Sequence, residues 1–153
     1  MTFKQLFKNE EHRLNAFFGL GYIALIFVLA GLVWLVDERF PTEISTFDFI
    51  LLSLATFRLI RLFVYDKVSL FVREYFADEK SGPKKTIGDL LGCPWCFGVW
   101  AGTLLVFFYY VMPMAWFVIL ILAVSGVASF IQILINMIGW RAEQLKNEVQ
   151  GRS

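Results

Sequence analysis

No charged residue interrupts the twenty-one residues from Ala16 to Val36, AFFGLGYIALIFVLAGLVWLV. A helix needs about twenty apolar residues to cross a bilayer. Inside lipid every backbone polar group must be satisfied within the segment, so the run must be helical. The remainder of the chain fits the same solvent. Of 153 residues, 58% are hydrophobic and 18% charged, with seventeen Phe and five Trp. A soluble domain of this size could not bury so much apolar surface. A signal-peptidase site is weakly suggested by Val28–Ala30, but the apolar run continues past it, so an uncleaved span is expected.

Three further segments complete an expected four-span, all-α membrane domain covering residues 1–153. They are 47–64, 90–111 and 114–139, with Met112-Pro113 as the tight connection between the last two. Lys and Arg are unevenly distributed over the ends and loops. Lys4, Lys8 and Arg13 lie before the first span. Lys67, Arg73, Lys80, Lys84 and Lys85 lie in loop 65–89, and Arg141, Lys146 and Arg152 in the tail 140–153. The opposite side holds only Arg39. This bias predicts that both termini are cytoplasmic. Two amphipathic stretches, MTFKQLFKNEEHRL and KVSLFVREYF, suit helices that lie on the inner membrane surface or cap the bundle. In the second, Val68, Phe71, Val72 and Tyr75 share a face. A polar turn at Gly82-Pro83 follows it.

Both cysteines fall in LLGCPWCFGVWAG, Leu90–Gly102. Thr86, with Asp89 three residues on, predicts a helix N-cap, and Pro94 interrupts or restarts that helix. Cys93 would then sit at a helix N-terminus, which favours thiolate, with Cys96 one turn inside. A redox role for Cys93 and Cys96 is one reading. Against it, no βαβ pattern is present and the pair lies on the expected cytoplasmic side, where disulfides are uncommon. A second pair, through which quinone-linked dithiol oxidases relay, is also missing. The packing reading uses Gly88-x-x-x-Gly92 and Gly98-x-x-x-Gly102 for close helix approach, Pro94 for the bend, and Trp95 and Trp100 as anchors. One Cys pair and a single His12 cannot complete a four-ligand zinc site in one chain. No metal, cofactor or catalytic set is expected, and a net charge of +1 argues against nucleic acid.

Polar residues inside the spans need partners. Arg58 lies about 16 Å along its helix from Phe47. Arg58 and Arg61 either snorkel inward, pair with Asp66 and Asp89, or hold an anionic lipid headgroup. The second and third spans are expected to be antiparallel neighbours, which would set Arg61 beside Asp89. Ser125, Ser129, Gln132 and Asn136 form a polar stripe on one face of the last span, for packing against a neighbour or for lining a wet path in an oligomer.

TFRLIRLFVYDKVSLFVREYF followed by GDLLGCPWCFGVWAG resembles the membrane-protein family called domain of unknown function 1360. Arg58, Arg61, Asp66, Cys93, Pro94, Trp95, Cys96, Gly98 and Trp100 carry the resemblance. It covers Phe47–Gly139, roughly three-fifths of the chain, and leaves the first span as an addition. The resemblance implies a bacterial or phage membrane setting, with sporulation or lysis as context. The resulting expectation is a non-enzymatic homo-oligomer, an assembly or permeability component of the cell membrane or the spore inner membrane, with lipid and a further membrane protein as partners. A thiol-disulfide oxidoreductase and a holin-like lysis protein are the alternatives.

Overall fold

The computed structural model describes residues 10–37, 43–77 and 82–150, and among these every regular element is helical. Helix α1 spans Glu10–Asp37 and α2 Thr46–Ile60, which continues as a π-helical turn, Arg61–Tyr65. A 3₁₀ turn, Lys67–Ser69, leads into α3, Leu70–Ala77. Then come α4, Pro83–Gly92, α5, Pro94–Val111, and α6, Ala115–Gln150. The amphipathic stretch at the amino terminus lies largely outside the described residues.

Three helices are long and apolar enough to cross a membrane: α1 from Arg13 to Val36, α5, and α6. The segment expected as a second span is only fifteen residues of α-helix before its π turn. It is nonetheless the hub of the packing. Leu51, Leu52 and Ala55 of α2 meet Leu105 of α5 and Ile119 and Ala123 of α6 in one core. Ala55 is fully buried. Where helices pack in lipid, whose tails are as apolar as the side chains they replace, contact rests on close fit. Small residues at the crossing supply that fit.

Helices α5 and α6 are joined through Met112–Met114, where the Ala115 N–H donates to the Met112 carbonyl at 2.9 Å. The expected connection is therefore present. Helix α1 stands to one side. It buries Val33 alone among its apolar residues and is tied to α5 by Tyr22, whose hydroxyl lies 2.6 Å from Thr103 Oγ1.

Several expected boundaries change. Residues 90–111 are not one helix, because α4 ends at Gly92 and α5 starts at Pro94 across an extended Cys93. Thr86 is not an N-cap. Helix α4 begins a turn earlier, where Gly82 takes φ +96° and Pro83 occupies the first turn. Glycine is at ease in that backbone region and proline's fixed φ suits a helix start. The last helix does not close near Gly139 but runs on to Gln150. Its thirty-six residues, about 54 Å, exceed a hydrocarbon core of about 30 Å. Loop 65–89 contains α3 and most of α4.

Candidate functional site

Two adjoining features hold the arginines, acids and cysteines singled out from the sequence: the corner that follows α2, and the cysteine turn between α4 and α5. In the corner, Arg58 Nη1 donates to Asp66 Oδ2 at 2.9 Å. The two side chains are 21% and 27% exposed, so water only partly screens the pair. The π turn helps to set this geometry. The Asp66 N–H donates to the Arg61 carbonyl, and the chain then turns extended at Asp66. Arg73 Nη2 donates to the Asp66 carbonyl at 3.0 Å.

Buried Ser69 closes the corner. Its Oγ lies 2.6 Å from the Leu62 carbonyl oxygen, 2.9 Å from that of Phe63 and 3.2 Å from that of Asp66. A hydroxyl has one proton, so these three acceptors share it. The Leu62 and Phe63 carbonyls belong to the last helical turn, whose oxygens lack intrahelical partners, and that of Asp66 to the extended residue after it. Nothing in the apolar periodicity signals this role for Ser69.

The arginines do not divide as expected. Arg58, the deeper one, takes Asp66. Arg61 lies over the Tyr65 ring, 5.0 Å from its centroid, and its Nε is buried with no hydrogen-bond partner among the described residues. It forms no ion pair with Asp89. The break at Cys93 explains the difference. Helix α4 sets Gly88 against the α3 backbone, where an added Cβ would stand 2.9 Å from the Phe76 carbonyl oxygen. Asp89, the next residue around the helix, is exposed and lines a cleft toward α1.

That cleft, about 480 Å³, is also lined by Asn15, Tyr22, Cys93, Cys96 and Trp100. Cys93 is the N-cap of α5, its Sγ accepting the Cys96 N–H at 3.3 Å. Hydrogen bonds from Cys96, first its side chain and then its backbone, hold the Cys93 thiol below its ordinary range. Both cysteines are unbridged. Among the described residues, no three His, Cys, Asp or Glu side chains converge as metal ligands would. Trp95 is 85% exposed, whereas Trp100 is half-buried with its ring 5.0 Å from that of Tyr22. Phe97 meets Phe63 at 5.2 Å and so joins the cysteine turn to the π turn.

The glycines serve unequally. A Cβ on Gly98 would meet Ile60 Cδ1 at 2.9 Å, one on Gly102 would touch Thr56 at 3.7 Å, and Gly92 faces open space. The closest approach lies at Gly126, which belongs to neither GxxxG pattern. A Cβ there would stand 2.5 Å from the Leu54 carbonyl oxygen. The available signal was Ala123 one turn earlier, beside the polar stripe. The stripe itself divides in two. Ser125 and Ser129 are half-buried, and the Ser129 hydroxyl donates to the Ser125 carbonyl at 2.9 Å. Gln132 and Asn136 are exposed and bond to each other at 3.0 Å.

A family model described as "Protein of unknown function (DUF1360)" matches residues 51–84 and 77–135, more than half of the chain. The chain belongs to the DUF1360 family. Its similarity to sporulation protein YjcA of Bacillus subtilis (strain 168) is 37% identity over 112 aligned residues, covering 61% of this chain and 94% of the relative. UPF0713 protein YngL of the same organism is 35% identical over 108 residues, covering 62% of this chain and 83% of the relative. No solved structure matches. The DUF1360 match takes in most of α2, the corner, the cysteine turn, α5 and the first part of α6. It omits α1, the helix that stands aside from the core.

Proposed function

We propose that this DUF1360 protein is a non-enzymatic membrane component that crosses a bacterial membrane four times, with both termini cytoplasmic, and works as a homo-oligomer in a sporulation setting. One observation carries the reading. The outward faces of the long helices are apolar, with Phe17, Phe27 and Leu35 of α1 and Phe117, Val124 and Ile138 of α6 each 63–73% exposed. Continuous apolar surface on this scale needs lipid or protein to cover it. Helix α2 and its π turn together approach 30 Å, enough for the fourth crossing. The exposed Gln132 and Asn136 support assembly, since amide groups left facing lipid gain by bonding to another copy.

Alkaline extraction and native mass spectrometry from lipid nanodiscs test this. The chain should resist extraction and appear as several copies, and Gln132→Leu with Asn136→Leu should reduce the copy number. Release by alkali, or a single copy at every protein concentration, would overturn it.

The Cys93 cap favours a second reading, a membrane thiol-disulfide oxidoreductase. A helix N-terminus and a nearby N–H donor both favour thiolate at Cys93. That reading requires part of the Cys93–Cys96 pair to be trapped as a disulfide when cells are acid-quenched and alkylated. A fully reduced pair leaves the assembly reading standing.

A further inference from the structure

Tyr65, before α3, and Tyr75, within it, are both exposed, and each carries a cation over its ring. Arg61 lies 5.0 Å from the centroid of Tyr65, and Lys84 Nζ lies 5.5 Å from that of Tyr75. Between them the surface is apolar, with Val68 71%, Phe71 71% and Tyr75 65% exposed. These three share one side of the helical path from Lys67 to Ala77. Lys67 is exposed beside them, as is one acid, Glu74. From Arg58 to Tyr75 there are four cations and two acids, and Asp66 is already engaged by Arg58. The element leads directly from the π turn that ends α2.

Exposed tyrosines with cations at their faces, set beside apolar side chains, have the make-up of a membrane headgroup layer. Such a layer offers phosphate to the cations and acyl chains to the apolar residues. The geometry points to this corner as a binding surface for anionic phospholipid, with Arg61 and Lys84 meeting phosphates while Val68 and Phe71 enter the acyl boundary. The inference rests on the membrane reading above. Free inorganic phosphate would satisfy the cations but leave Val68 and Phe71 uncovered. Lipid meets both halves of the surface.

The test uses the full chain in nanodiscs of phosphatidylcholine with phosphatidylglycerol. Native mass spectrometry reads which lipid is retained. A fluorophore on Phe71→Cys, in a background of Cys93→Ser and Cys96→Ser, reads depth through quenching by spin-labelled lipid. Phosphatidylglycerol should be retained in preference. Arg61→Gln and Lys84→Gln should each lower that preference about fivefold, the factor expected for one surface cation. Lys84→Arg should restore it, added inorganic phosphate should not compete, and the probe at position 71 should be quenched. Equal retention of both lipids, an unquenched probe, or competition by inorganic phosphate would each overturn the proposal. If Arg61→Gln fails to fold, Lys84→Gln and the probe decide. Loss of the chain from the bilayer in alkali would instead signal failure of the membrane reading.

Discussion

Replacing Gly126 with alanine adds one methyl group at the tightest point of the α2–α6 contact. That methyl would stand 2.5 Å from the Leu54 carbonyl oxygen, 3.3 Å from its carbonyl carbon and 3.5 Å from Arg58 Cβ. The oxygen belongs to the helical backbone of α2 and cannot swing aside as a side-chain tip can. The two helices must therefore part, and overpacking of this kind costs about 1–3 kcal/mol. Against it, alanine in a helix interior gains about 0.5–1 kcal/mol over glycine. The net should be a loss of roughly 0–2.5 kcal/mol. Gly139 is the matched control, since nothing lies within 4 Å of its Cβ position. Gly139→Ala should be neutral or slightly stabilising. Gly98→Ala should fall between the two, because its obstacle is only the movable end of Ile60. Unfolding titrations in mixed micelles, followed by tryptophan fluorescence, read all three. If Gly126→Ala and Gly139→Ala unfold within about 0.5 kcal/mol of each other, α2 and α6 do not approach closely at Gly126.

In the same assay, Arg58→Leu and Asp66→Leu should each cost about 1–3 kcal/mol, and the double variant should recover part of the loss, since a lone charge beside lipid is worse than none. Additive losses would deny the pairing. Ser69→Ala should cost about 1–2 kcal/mol by taking the hydroxyl donor from the part-buried Leu62 and Phe63 carbonyls, while Asp66 keeps its bond from Arg73, whereas an unchanged midpoint would mean that water replaces the hydroxyl. For topology, Glu43→Cys in a background of Cys93→Ser and Cys96→Ser should react with an impermeant thiol reagent in intact cells, while Lys84→Cys and Lys146→Cys should be protected; the opposite labelling pattern would invert the orientation. Cys93→Ser with Cys96→Ser should preserve membrane yield and copy number, and Gly98→Leu should lower both, because leucine there drives α5 from α2.

Features encoded along the chain are legible in the sequence without any tertiary contact. The charge-free run of α1, the Met112-Pro113 reversal and the restart of a helix at Pro94 each depend on composition over a few consecutive residues. So does the placement of Cys93 at a helix start. The extent of α2 was less legible, because its apolar run continues through a π turn that periodicity does not mark. The partner of each arginine was not legible at all. Sequence order suggests that Arg61 and Asp89 meet, yet Gly88 rather than Asp89 packs against α3, and Asp66 bonds to Arg58 across the turn. Gly126 belongs to the same class, as does Ser69. A glycine becomes indispensable, and a serine becomes a cap, only when another backbone arrives beside it. Local sequence determines which segments are helical and apolar enough for lipid. The choice among faces is made by crossing angles and close approaches between helices distant in sequence, because in lipid it is close packing and paired polar groups, with little help from water, that decide which faces meet.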